Sequence, residues 1–277
     1  MSDLSDLPCS CVEGCCNQPL ERLRYFPRQM MTADDMRAEQ DYFREKSRRH
    51  NRYLHGWGVV CGCAVEVVAP GTGNGTTSTG SLGWQVRVCP GYVVAPQGDD
   101  ILIDDCITVD LQLGVQQQPC SVRWPCPPLG EMPGTDSKRD SIVYIAVRYA
   151  ECFARPARVH PGGCGCDEAG CEYTRVRDSF EIKVLWELPA SHAQAREDDD
   201  RWCQTLAGTS AELLGREHTF PVPPCPPCPT DPWVVLAAVR LPAAGTAAGK
   251  QPLQISYAPR RVLLATQRLQ VAMLCLP

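Results

Sequence analysis

The sequence predicts an α+β chain, mainly antiparallel β-sheet and β-sandwich-like, with one long N-terminal helix and proline-rich loops. Three observations predict it. A stretch without Gly or Pro runs from Ala33 to Leu54 behind a capping signal. After it the apolar pattern changes from helical spacing to strand alternation. Pro 25 and Gly 22 in 277 residues favour turns and short strands over further long helices.

Residues 1–24 read as an irregular head holding Cys9, Cys11, Cys15 and Cys16. Thr32 with Asp35 three residues later forms a capping box, and Asp34 and Asp35 place negative charge at the positive end of the helix dipole. Gly56 ends the helix. Met36, Phe43 and Leu54 lie near one stripe, completed by Gln40, Ser47 and His50. So weak a stripe suggests packing on a sheet or a partner helix, with the basic cluster Arg44, Lys46, Arg48, Arg49 and Arg52 exposed. Gly56-Trp57-Gly58 reads as a tight reversal with Trp57 buried.

Strand signals follow. Val59 to Val68 is rich in β-branched residues, and the Gly/Thr/Ser tract 71–83 is a loop. In 84–88, Trp84, Val86 and Val88 alternate with Gln85 and Arg87. A hairpin turns at Gln97-Gly98-Asp99, with Ile101 and Ile103 facing one way, and Ile107, Val109 and Leu111 make a short strand. The proline-rich residues 116–140 are a connection. The apolar run 141–149 reads as a strand covered on both faces. Phe180, Ile182, Val184, Trp186 and Leu188 share one strand face. Residues 189–232 are polar or proline-rich, and 221–232 suits only extended or turn conformations. Residues 233–241 form a buried strand, and QISYAP, RRVLLAT and LQVAMLCLP are shorter pieces. The divisions are 1–57 (head and helix), 58–115 (first β region), 116–140 (connection) and 141–277 (second β region).

The formal net charge of −5 comes without basic blocks, so no electrostatic footprint for nucleic acid is present. No apolar run approaches the roughly 18 residues of a membrane span. The N-terminus lacks the basic and apolar regions of a secretory signal, so a soluble chain made in the cytoplasm is expected.

The 18 cysteines carry the main chemical signal. Cys152, Cys164, Cys166 and Cys171 are the candidate metal group, and zinc is the ion they would suit. A CxC followed by four residues and a further Cys is not a standard knuckle, so disulfides and free thiols stay open beside it. Cys225-Pro-Pro-Cys228 has redox-motif spacing but no following helix to lower a thiol pKa, which favours a staple or a metal pair. Asp99, Asp100, Asp104 and Asp105 suit solvated hairpin ends better than a calcium cluster. The 71–83 loop lacks the Lys-Ser or Lys-Thr of a phosphate-binding loop, and no His stands in a catalytic motif. No intrinsic catalysis is expected, and no cofactor beyond zinc is implied.

Tyr25-Phe26, Gln29, Thr32, Asp35, Glu39-Gln40, His50-Asn51-Arg52 and the run Leu54 to Gly62 follow a connected pattern. It resembles the opening of uncharacterised proteins encoded beside extracellular contractile injection system genes, which build phage-tail-like particles. CPGYVVAPQGDDILID resembles a hairpin of the same proteins, and YAEC (149–152) and residues 171–189 are also similar. The likeness covers most of 25–190. It departs at Cys63, where the family has Leu, and at Val94 to Gly98, where the family's Asp is replaced.

The resemblance implies a structural or adaptor component of the particle, associated with baseplate, spike or fibre. Its partners would be other subunits of the assembly, with homo-oligomers among them, and the particle is released extracellularly. The alternative is a cysteine-rich metal-binding or carbohydrate-binding module carried on the particle.

Overall fold

The structure is a computed structural model that describes residues 19–68, 85–111, 142–158, 171–207, 225–226, 228–241, 253–266 and 268–269. Helix α1 (Ala33–His50) begins as its sequence requires. The Thr32 hydroxyl accepts from the Asp35 N–H at 3.1 Å, and the Asp35 carboxylate accepts from the Thr32 N–H at 2.8 Å. These two bonds satisfy donors that the first helical turn otherwise leaves without partners. A π-helical turn, Asn51–His55, prolongs the helix to Gly56 at φ 80°.

Among the described residues ten strands follow, all pairing antiparallel: β1 (Gly58–Gly62), β2 (Val65–Val67), β3 (Gln85–Val88), β4 (Gly91–Val94), β5 (Asp100–Ile103), β6 (Ile107–Asp110), β7 (Ile142–Arg158), β8 (Cys171–Leu185), β9 (Val234–Arg240) and β10 (Gln254–Ser256). They make three sheets, ordered β1-β4-β5, β2-β3-β6 and β10-β9-β7-β8. One core joins all three, through Val59, Ile101 and Ile103 of the first, Val86, Val88 and Val109 of the second, and Val143, Ile145, Ile182 and Leu236 of the third. The expected α+β, mainly β architecture with an N-terminal helix is present.

Three expectations change. The run Val59–Val68 is not one strand. Gly62, the last residue of β1, and Cys63 take φ 64° and 54°, a left-handed turn that ends the strand, so β1 and β2 enter different sheets. The Cys63 N–H bonds Pro90 O at 3.0 Å and its carbonyl accepts from Arg260, which fixes the bend.

The polar stretch after Leu188 is not without regular structure. Residues Ala190–Ala207 form a second helix, α2, because Ala, Gln, Arg and Glu outweigh its polar appearance and no Gly or Pro interrupts it. Asp231, from the proline-rich segment, caps it by accepting from the Ser191 N–H and hydroxyl, each at 2.9 Å.

The strands expected at 141–149 and 180–188 lie largely within much longer ones, but β8 ends at Leu185, so Trp186 and Leu188 fall beyond the strand face expected to include them. β9 pairs with β7 only from Ile142 to Val147, whereas β8 follows β7 out to Arg158. The outer halves of β7 and β8 therefore form a two-stranded ribbon extending past the sheet.

Helix α1 docks by polar contacts rather than through an apolar face. Arg48 pairs with Asp99 at 2.6 Å and Glu45 at 2.5 Å, and the Asn51 amide donates to Gly98 O at 2.8 Å and to Asp100 at 3.1 Å. Asp99 and Asp100 are thus tie points for the helix, not solvated hairpin ends. Gly98 is required there: at φ 99°, an added Cβ would stand 2.3 Å from the Arg48 carbonyl oxygen. Gly98→Val is expected to lift α1 off the hairpin at a cost of about 1–3 kcal/mol from backbone strain alone. Hydrogen exchange should then accelerate in residues 45–52 while the strands stay protected. Unchanged exchange there would count against this docking.

Candidate interaction surface

The inward face of α1 consists of its less exposed residues, Asp35, Glu39, Tyr42, Glu45, Arg48 and Arg49, and no residue of the helix is buried. Arg52, in the following turn, is buried at 5% exposure. The basic cluster expected at the surface therefore turns partly inward, drawn by the acidic hairpin. The stripe expected to pack turns outward. Met36, Gln40, Phe43, Ser47, His50 and Leu54 are all exposed, with Phe43 at 59% and Leu54 at 70%. Tyr25, Phe26, Met30 and Met31, just before the helix, are exposed as well. The Leu23 N–H bonds Glu39 at 3.3 Å, which lays this segment back along the helix.

A second apolar surface lies on the ribbon. Phe153 pairs across the strands with Val176, and its ring stacks on Tyr173 with centroids 5.7 Å apart. All three side chains are exposed. Contiguous apolar surface of this kind marks contact regions more often than scattered single residues do. The Arg44–Glu151 ion pair, 2.5 Å, links helix and ribbon.

The third feature is a cleft of about 790 Å³ between α2 and the solvent face of the four-stranded sheet. Register aligns Gln254, Arg240 and Ile142 in one row and Ser256, Ala238 and Tyr144 in the next. Val262, Leu188 and the rim residues Arg196, Asp199 and Arg261 complete it. Arg196 and Arg240 make no ion pair among the described residues, so the rim is cationic over a partly apolar floor, a combination suited to a carboxylate-bearing ligand.

At one end of the cleft His192 is buried. Its Nε2 accepts from the Val235 N–H at 3.0 Å, the ring also hydrogen-bonds the Pro259 backbone, and Trp57 meets it edge-on at 4.8 Å. Trp57 is half-buried rather than buried, its other partner being the Arg261 guanidinium at 5.1 Å. Burial pushes the His192 imidazole down from 6.5 to about 4. The ring is neutral and held by backbone, which makes it an anchor and not a general base.

Between about 4 and 6.5 the unfolded chain binds a proton that the folded chain does not, so stability is full above 6.5 and falls as pH drops. The loss is on the order of 3 kcal/mol. Urea midpoints measured from pH 7 to pH 4 should decline less steeply in His192→Gln than in the wild type. Equal slopes would assign the acid sensitivity elsewhere.

Of the candidate metal residues, Cys152 lies on the ribbon and is disulfide-bonded, one of the states the spacing left open. Cys171 begins β8, and Cys164 and Cys166 fall outside the described residues, as do Cys9, Cys11, Cys15, Cys16, the 71–83 loop and the 116–140 connection. Among the described residues no group of three or more His, Cys, Asp or Glu side chains is placed to hold a metal. Cys225 and Cys228 are exposed and not joined in a disulfide. Cys63, fully buried, has its thiol pushed up to about 11 by burial, so it is a protonated packing residue. Among the described residues no helix is long and apolar enough to cross a membrane. No protein-family model matches the chain, and no curated protein matches it.

Proposed function

We propose that the chain is a structural or adaptor subunit of a contractile, phage-tail-like particle. The resemblance of residues 25–62 supports the particle. The outward apolar stripe of α1 carries the subunit role, because a monomer gains nothing from Met36, Phe43 and Leu54 in water whereas an assembly covers them. The ribbon, with Phe153, Tyr173 and Val176 exposed at a distance from the core, gives a second point of attachment.

A second function, a ligand-binding module carried on the same particle, has the cationic cleft in its favour. Zinc, or another metal held by the cysteine-rich 164–171 segment, belongs with that alternative.

Deleting the gene and imaging the particles tests the subunit role. Missing or unstable tail ends are expected; complete, functional particles lacking only this chain would overturn it. Metal analysis of protein purified without added metal tests the alternative, with stoichiometric zinc as its support.

A further inference from the structure

We propose that Cys89 and Cys106 are a redox-active dithiol, oxidised to a disulfide by a small-molecule disulfide such as oxidised glutathione, and that the bond locks the hairpin on which α1 is mounted.

Strand register brings the two cysteines together. β3 and β6 pair as Gln85↔Asp110, Val86↔Val109, Arg87↔Thr108 and Val88↔Ile107, and one further step sets Cys89 opposite Cys106. Val88 and Ile107 are buried in the core, so alternation turns the next pair to the outer face of the sheet. Cys106 is exposed, Cys89 is partly exposed, and neither is in a disulfide. The Cys89 N–H bonds the Ala64 carbonyl, on the β2 side, at 2.8 Å. Its polar backbone groups therefore point away from β6, which makes Cys89 and Cys106 a non-hydrogen-bonded pair. Such pairs are the closer of the two antiparallel kinds, with Cα atoms about 4.5 Å apart. A disulfide spans roughly 4.4–6.8 Å between Cα atoms, so the bond forms without moving the strands. The thiols already meet through a hydrogen bond between Cys89 and Cys106.

The two sulfurs differ in role. Burial, followed by the hydrogen bond to Cys106 and the nearby Glu66 carboxylate, pushes the Cys89 thiol above its ordinary value, with the Arg87 guanidinium opposing. Cys89 keeps its proton, and the exposed Cys106 is the sulfur that a reagent meets first. The Cys106 thiolate attacks one sulfur of oxidised glutathione, whose S–S bond breaks as one glutathione leaves. Cys89 then gives up its proton and attacks the Cys106 sulfur of the mixed disulfide, expelling the second glutathione. The protein sulfurs lose two electrons, the glutathione sulfurs gain them, and the two protons end on the glutathione thiols.

The bond would close the neck of a particular excursion. Between Cys89 and Cys106 the chain leaves the β2-β3-β6 sheet, supplies β4 and β5 to the β1-β4-β5 sheet, and returns. That excursion carries Gly98, Asp99 and Asp100, to which Asn51 and Arg48 tie α1. Joining its ends removes freedom from the unfolded chain and fastens the base of the hairpin. In a reducing compartment the pair stays as two thiols, and in an oxidising one it is joined.

The test starts from the full chain, reduced with dithiothreitol, desalted and incubated with oxidised glutathione at neutral pH. Remaining thiols are alkylated, and the protein is digested without reduction. No Lys or Arg lies between residues 89 and 106, so a protease that cuts at Asp99 and Asp100 is used to separate the two cysteines. Mass spectrometry should find the Cys89 and Cys106 fragments linked to each other. Cys89→Ser should instead leave Cys106 as the mixed disulfide with glutathione. Oxidised wild type should melt roughly 6–12 °C above the reduced protein for a loop of this length, and Cys89→Ser should lose that rise. Alkylated Cys106 in the treated wild type overturns the dithiol, as does Cys89 linked to a different cysteine. Unmodified Cys106 in Cys89→Ser overturns the order of attack. A linked pair with unchanged melting, or a rise that Cys89→Ser retains, overturns the lock.

Discussion

Gly58→Val is expected to lower the melting temperature by roughly 10 °C or to leave the protein insoluble, whereas Gly56→Val is expected to be distinctly milder. Both glycines flank Trp57 and both have positive φ, 140° and 80°. What a side chain would meet differs. At Gly58 a Cβ would stand 2.7 Å from the Arg261 carbonyl oxygen, which itself accepts the Val59 N–H at 2.9 Å. At Gly56 the nearest atom is a methyl of Leu263 at 3.9 Å, an ordinary contact. Gly56→Val therefore carries backbone strain alone, about 1–3 kcal/mol. Gly58→Val adds overpacking of about 1–3 kcal/mol and loosens a backbone bond. For a chain of this size each kcal/mol is about 2–4 °C in melting temperature. Equal melting temperatures for the two variants would mean that the Val59–Arg261 contact does not fix this joint.

The same joint shows what the sequence discloses and what it hides. The capping box at Thr32 and Asp35, the hairpin at Gln97 to Asp99 and the alternation of Ile101 with Ile103 are local signals. Each depends on residues a few positions apart, so each is legible before folding. The bend at Cys63 is not, because a cysteine at positive φ is dictated by Pro90 and Arg260 and not by its neighbours in sequence. Helix α2 was hidden for a related reason: its cap, Asp231, lies 40 residues beyond Ser191. For α1 the sequence exposes the two faces correctly but not their assignment. The usual expectation places the apolar stripe inward, and here the acid-lined hairpin draws the arginine face inward in its place. The ribbon's apolar residues stay unread because β7 and β8 define that surface only once they are paired.

Arg260→Met is expected to be costly for a partly exposed position, because Arg260 joins strands of different sheets. Its Nε donates to the Leu236 carbonyl of β9 at 2.6 Å, and a terminal nitrogen donates to the Cys63 carbonyl at the β1–β2 bend at 2.5 Å. The guanidinium also lies over the Tyr257 ring, 4.2 Å from its centroid. Tyr257 in turn bridges to β2, where its hydroxyl accepts from the Val65 N–H and donates to the Val65 carbonyl, both at 3.0 Å. Methionine fills much of the same volume and supplies no donor. Two carbonyls beside fully buried residues lose their partner, at about 1–3 kcal/mol for each, and the cation–π contact is lost as well. A loss of about 2–6 kcal/mol follows from the two bonds if they act independently. Arg260→Lys keeps the charge over Tyr257 but has no planar fork, so it reaches one carbonyl and not both, and it should fall between wild type and Arg260→Met. Urea unfolding of the three proteins measures this order directly. If Arg260→Met unfolds within about 1 kcal/mol of wild type, the β1–β2 bend is held by its Pro90 contact alone, and the Arg260 bridge is a consequence of the sheet arrangement rather than one of its causes.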